Sequence, residues 1–329
     1  MKKKLVGFGE LLLRLDSPQH LRLAQAEQLQ ARYTGGEANV LVAAKNFGVE
    51  HCQMVSRVPD QAIGHACIEF LNRYRLDTSS ICLGGDRLGI LFVETGASIR
   101  PTRVVYDRLH TGFRQSNRND YDWPTLLADA DVVHITGTAP ALGDAVQAAM
   151  DDCLEAARSA NCLVSFDCSY RSGLWDIEQA GEAYRRYAPR VDILFASPGD
   201  AELFFGIKEP DVDQRMRQLA DRYGIGHLAY TERDELSASV NGLQGIYWQG
   251  GEKRQSRRHE FEIVDRIGSG DAFAAGLIAS LLQQQDPGFR IEFATAAAVL
   301  KHTISGDFCL VSAAEVGELV DGTGTRIRR

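Results

Sequence analysis

An aspartate that follows two glycines at the head of an apolar stretch can do one of two things. In "DRIGSGDAFAAGLI", residues 265–278, Gly268, Ser269 and Gly270 leave successive backbone N–H groups able to converge, and a helix starting there adds the positive end of its dipole. That is an anion hole. Asp271 at its edge would repel a resting phosphate, so its carboxylate makes sense as a proton acceptor for an incoming nucleophile. The plain alternative is a capped helix preceded by a glycine turn. The rest of the chain must decide between cap and chemistry.

Such a loop needs a frame. "KKKLVGFGE" opens the chain as a strand, and strand-like runs recur at 130–137, 161–169, 191–197 and 227–232. Residues 142–160 and 180–188 carry helical spacing between them. This alternation predicts an α/β fold with a doubly wound, mostly parallel sheet flanked by helices. Ligands of such sheets bind beyond the carboxyl ends of the strands, which nominates Asp167 to Arg171, Ser197 to Asp200 and Thr231 to Arg233 beside the 268–271 loop. Two stretches, 11–34 and 88–110, break the pattern and read as short strands and turns. They predict a small β-sheet lid over the large sheet. Its exposed strand edges predict a homo-oligomer formed through the lid.

Composition narrows the classes. A chain of 329 residues, 44% apolar, can bury one large core, so residues 1–329 read as a single domain with its lid. The net charge of -8 argues against nucleic acid as a partner, and Lys253, Arg254, Arg257 and Arg258 read as a solvated hairpin. No apolar run approaches the length of a membrane span, so no membrane partner and a cytoplasmic location are expected. Seven scattered cysteines without CxxC spacing suggest reduced thiols rather than a disulfide framework or a metal site at Cys153, Cys162 and Cys168. Gly7-Phe8-Gly9 lacks the third glycine of a dinucleotide fingerprint. His302 reads as a helix residue near the ligand site rather than a catalyst, and Trp123, Trp175 and Trp248 read as packing groups.

"DRIGSGDAFAAG" resembles the second signature of the PfkB (ribokinase-like) carbohydrate kinases, and "TGGEANVLVAAKNFG" (34–48) resembles the first, in the expected order. Residues 89–108, 167–175 and 300–308 are similar to segments of 2-keto-3-deoxygluconate kinases within that family. The resemblance implies a ribokinase-like fold, ATP and Mg²⁺ as cofactors, and a small-molecule sugar acid phosphorylated on its terminal hydroxyl. It makes Asp271 the general base, with Gly268, Ser269 and Gly270 stabilising the phosphoryl group. It places substrate against Gly35, Gly36, Glu37, Ala38, Asn39, Leu91, Tyr106, Arg108, Arg171 and Asp307. It places nucleotide against Ser169, Tyr170, Arg171, Ser197, Thr231, Glu232, Arg233 and Thr295. Metal ligands stay unassigned.

A sugar acid carries a carboxylate, and guanidinium groups suit it by paired planar hydrogen bonds, which Arg108 and Arg171 are expected to supply. Three departures from the family pattern matter. Leu91 stands where the sugar-acid kinases have a lid tyrosine, and Ser197-Pro198-Gly199-Asp200 replaces the Asn-x-x-Glu tied to magnesium in many relatives. Arg266-Ile267-Gly268 replaces Thr-x-Gly, putting a cation near the phosphate path. Two other readings stay open: a PfkB kinase of a neutral sugar such as fructose or ribose, and a catalytically silent sugar-binding regulator. The intact Gly-x-Gly-Asp speaks against silence.

Overall fold

The structure, a computed structural model, describes residues 3–235 and 239–323. The chain opens with β1 (Lys4–Phe8), β2 (Leu12–Asp16), β3 (Gln30–Thr34) and α1 (Gly36–Asn46). It continues with β4 (His51–Val58), α2 (Ala62–Asn72), β5 (Asp77–Leu83), β6 (Gly89–Glu94) and β7 (Arg103–Asp107). The middle third holds α3 (Trp123–Leu127), β8 (Val132–Thr136), α4 (Asp144–Ala160), β9 (Leu163–Asp167), α5 (Ile177–Tyr187) and β10 (Ile193–Phe195). After α6 (Pro198–Leu203) and α7 (Val212–Tyr223) come β11 (His227–Glu235), β12 (Val240–Gln249), β13 (Glu252–Gln255) and β14 (His259–Glu262). Three helices close the described chain: α8 (Ser269–Leu282), α9 (Pro287–His302) and α10 (Ala313–Val320).

The large sheet has the order β13-β12-β11-β10-β9-β8-β1-β4-β5, with β14 also paired to β12. From β5 to β11 all pairings are parallel; β12 and its partners form an antiparallel edge. β8, "VVHIT", is buried at every position, as a strand covered on both faces must be. One apolar cluster joins α1, α8 and α9 to one face, and a second joins α4, α5 and the β8–β10 strands on the other. Sequence periodicity places α4 and α5 correctly: each presents one buried stripe, α4 ends on Asn161 in the left-handed region, and α5 starts on the Asp176 cap. The β4-α2-β5 unit and the antiparallel edge are additions to the expected alternation. The basic cluster lies on and beside the β12-β13 hairpin, where Lys253 pairs with Asp213 and Arg257 with Glu292. Trp123 packs on Phe8 and Tyr121, with ring centroids 4.9 and 5.3 Å away.

A second sheet, β3-β2-β6-β7, is built from the two stretches that broke the alternation. β2 and β6 run parallel although 73 residues separate Asp16 from Gly89, while β3 and β7 flank them antiparallel. Leu12, Thr34, Leu91, Val104, Tyr106 and Arg108 line a cavity together with the loop before α8. The small sheet therefore roofs the carboxyl end of the large one.

Candidate active site

The loop ahead of α8 is fixed by its own first residue. The Asp265 carboxylate accepts the N–H groups of Ile267 (3.1 Å) and Gly306 (3.0 Å). Gly268 then sits at φ 85° and ψ -1°, and a Cβ there would lie 2.0 Å from the Asp307 carbonyl oxygen. Both the left-handed backbone and the close approach demand glycine. The first bond of the α8 ladder runs from the Ala272 N–H to the Gly268 oxygen (2.9 Å), so the N–H groups of Gly270 and Asp271 lie ahead of the ladder at the positive end of the helix.

Asp271 faces the same cavity. Its Oδ2 accepts a 2.6 Å bond from Asn39 Nδ2, and burial raises its pKa while Asn39, Arg171 and Lys301 pull it down. Asn39 lies on α1, which begins at the Gly35–Gly36 step. A Cβ on Gly35 would meet the Glu10 carbonyl at 2.6 Å, so glycine is required for α1 to start this close to β1. Across the cavity stands Asp167, at the end of β9. Burial and then the charge of Asp271 push its carboxyl up to about 6. Its Oδ1 accepts the N–H of Ser169 (2.9 Å), which holds that residue at φ 38°, an unusual conformation for a side chain with a Cβ. Glu37 is buried beside them. Its Oε1 accepts both the N–H and the hydroxyl of Thr136 (2.8 Å each), and burial pushes its carboxyl up to about 7.

At the other end of the cavity the charges are spoken for. Arg108, buried, donates from Nε to Glu10 Oε2 (2.6 Å) and brings a second nitrogen to 2.5 Å of the same oxygen, while Thr111 donates to the other oxygen. Asp307 is held by Arg14 on one oxygen and by Thr34 on the other. Arg14, buried in β2, also reaches Asp16 (2.6 Å) and Asp265 (2.7 Å). Thr34 Oγ1 also stands 3.2 Å from Asn39 Oδ1, so its one proton serves either Asp307 or Asn39. Arg171 differs. It donates to the neighbouring carbonyl of Tyr170 (2.9 Å), hydrogen-bonds Tyr106, and lines the cavity without a direct carboxylate partner among the described residues.

The structure gathers nearly all the expected sugar residues around this cavity of about 410 Å³: Gly35, Gly36, Glu37, Asn39, Leu91, Tyr106, Arg108, Arg171 and Asp307. Ala38 is fully buried in the core behind it. A neighbouring cavity of about 370 Å³ collects Ser169, Tyr170, Ser197, Thr231, Arg233 and Gly270. Two expected nucleotide residues line neither cavity. Glu232 lies between Thr231 and Arg233 on a strand, so alternation turns it to the opposite face. Thr295 is wholly buried: its hydroxyl donates to the Ile291 carbonyl (2.7 Å), and α9 presses it so close to β12 that a Cβ on Gly245 would lie 2.1 Å from Oγ1. Thr295 is thus a packing residue. Glu10, Thr34, Thr136 and Asp167 line the first cavity beyond those carried over from the signatures, and each lies at or just past the end of a strand. Arg266 joins them from the loop before α8.

Among the described residues no three metal-ligating side chains cluster. Asp167 and Asp200 both border the second cavity, with Asp200 Oδ2 accepting the N–H and hydroxyl of Ser197 (2.7 Å each). Such a sparse donor set fits Mg²⁺ that arrives with nucleotide phosphates and keeps most of its waters.

An anion hole with a buried carboxylate at a strand-end cleft, roofed by a small sheet, defines a phosphoryl-transfer enzyme of ribokinase-like architecture. Residues 2–307 match the pfkB family of carbohydrate kinases, and the chain belongs to that family. It is 28% identical over the full length of both chains to a 2-dehydro-3-deoxygalactonokinase of Haloferax volcanii. The crystal structure of 2-dehydro-3-deoxygluconokinase from Thermotoga maritima superposes with a TM-score of 0.95 at 35% identity, covering 98% of this chain and 99% of that one. A fructokinase with bound ATP from Xylella fastidiosa shares the fold alone, with a TM-score of 0.81, 18% identity and 98% and 99% coverage.

Proposed function

We propose that this carbohydrate kinase transfers the γ-phosphoryl group of ATP to the terminal hydroxyl of 2-keto-3-deoxygluconate. The carrying observation is the pairing, in one cavity, of Asp271 at the anion hole with the guanidinium of Arg171. The first suits a hydroxyl that must lose a proton; the second suits an acid that must be held by its carboxylate. In the reaction the substrate oxygen forms a bond to the γ-phosphorus as the bond to the β–γ bridging oxygen breaks, its electron pair leaving with ADP. The hydroxyl proton passes to Asp271. The N–H groups of Gly270 and Asp271, ahead of the α8 ladder, receive the charge that develops on the phosphoryl oxygens.

ATP belongs in the second cavity, between the ends of β10 and β11. Mg²⁺ would be held there by the nucleotide, with Asp167 or Asp200 within reach, and supplies charge neutralisation when bound. Residues 1–329 act as one kinase domain whose small sheet serves as lid. Ile99, Val105 and Leu109 leave 94, 52 and 65% of their surface exposed on that lid, and β3 and β7 are its open edges, which supports self-association through it. Light scattering on the purified protein reads that part.

A second reading has its own support. The Haloferax volcanii relative is named for the galactonate substrate, which differs from gluconate in configuration at one carbon. ADP release measured with both sugar acids, fructose and ribose decides. A higher kcat/KM for 2-keto-3-deoxygluconate is expected; preference for the galactonate epimer replaces the substrate, and preference for a neutral sugar overturns the sugar-acid assignment.

A further inference from the structure

The two cavities share four residues: Asp167, Ser169, Arg233 and Gly270. Whatever passes from the nucleotide to the sugar must cross there. At that boundary the wall carries two carboxylates, Asp167 and Asp271, close enough for the charge of one to act on the other. A transferring phosphoryl group brings further negative charge into the same space. Backbone N–H groups offer partial charges only, and Arg171 and Lys301 already act on Asp271, so the moving group itself calls for further positive charge.

Four arginines line the sugar cavity, and they divide by position. Arg108 is bound to Glu10 at the roof. Arg171 lies beyond β9. Arg233 lines both cavities from β11, and Arg266 enters two residues ahead of Gly268. The last two share the wall of the sugar cavity, and the charge of both is felt by buried His302, whose ring is pushed down to about 4 first by burial.

We propose that Arg233 and Arg266 form a two-arginine clamp on the transferring phosphoryl group, Arg233 meeting it on the nucleotide side and Arg266 beside the anion hole. This rests on the kinase reading but not on the identity of the sugar. The clamp offsets the repulsion from Asp167 and Asp271 during the in-line displacement and releases the phosphorylated product once the added charge has moved into the sugar cavity. A guanidinium suits the task because its planar fork can meet two phosphoryl oxygens at once.

Steady-state kinetics with ATP and 2-keto-3-deoxygluconate tests the clamp in Arg266→Met, Arg266→Lys and Arg233→Met. In Arg266→Met kcat should fall by ~10²-fold, the scale of losing one preorganised donor to a transition state, with KM for the sugar within about threefold of the parent. Arg266→Lys should recover part of the rate, and added guanidinium ion should rescue the methionine variant. Affinity for ADP with aluminium fluoride, a mimic of the transferring group, should drop in both methionine variants while affinity for ADP alone persists. That binding assay needs no sugar, so it reads the clamp even if the substrate assignment fails. A kcat within threefold of the parent, a loss confined to the sugar KM, or unchanged affinity for the aluminium fluoride complex would overturn the proposal.

Discussion

The two ends of the sugar cavity are built in opposite ways. At the transfer end, one unbroken segment from Asp265 to Asp271 supplies the turn, the N–H groups and the base. At the roof, the groups come from β2, β3, the end of β1, the segment after β7 and the chain after α9, and they are tied to one another by buried ion pairs. A local device needs only local geometry. An assembled one must hold its own charges in place before a ligand arrives, so several arginines that look available in the sequence are already engaged.

The sharpest way to break this contrast is to remove Arg14. It answers three carboxylates, Asp16, Asp265 and Asp307, and the last two belong to or touch the catalytic loop. Arg14→Met leaves those charges buried and unpaired, which should cost about 3 to 5 kcal/mol in urea unfolding. Stability within 1 kcal/mol of the parent would mean that the roof is not held by this network.

The arginines of the cavity should separate in the same spirit. Arg171→Met removes charge-assisted hydrogen bonds to a carboxylate worth about 1.5 to 3 kcal/mol, so kcat/KM for 2-keto-3-deoxygluconate should fall by roughly 10- to 150-fold. The value for fructose should change far less. Arg108→Met strands Glu10 instead, and should weaken both substrates alike. If Arg108 rather than Arg171 proves selective for the acid, the Glu10 pair opens on binding and the contrast between the two arginines is reversed.

A smaller effect follows from Glu37. Its carboxyl titrates near 7 in the folded chain and near 4.5 when exposed, so the folded state keeps a proton that the unfolded state loses between those values. The associated stability is complete below about pH 4.5 and is lost as pH rises through about 7. Glu37→Gln keeps an acceptor for Thr136 and removes the titration. Melting followed from pH 5 to 8 should show the parent losing up to roughly 3 kcal/mol relative to the variant. Parallel curves would place an ionised carboxylate there at all these values.

Much of the large sheet was legible because its strands are apolar runs between amphipathic helices, and the anion hole because Gly268-Ser269-Gly270-Asp271 is contiguous. The roof sheet could be foreseen only as an interruption; nothing local to Asp16 or Gly89 announces that β2 and β6 pair in parallel. Arg108 was readable as a cavity residue but not as a partner of Glu10, since 98 residues separate them. The family resemblance put Thr295 against the nucleotide, yet an α-helical threonine can satisfy its hydroxyl on the carbonyl four residues back and be buried. Asp167 was visible as a strand end, whereas its coupling to Asp271 depends on the fold.

Gly268, not Asp271, is the N-cap of α8, so the carboxylate of Asp271 stands or falls as the base. Single-turnover phosphorylation by Asp271→Asn tests this, because asparagine keeps the size and an acceptor for Asn39 while losing the proton acceptor. The rate of transfer should fall by ~10²-fold or more, with ATP and sugar binding within about threefold of the parent. A transfer rate close to that of the parent would contradict the account and leave Asp271 as a first-turn carboxylate of α8 that anchors Asn39.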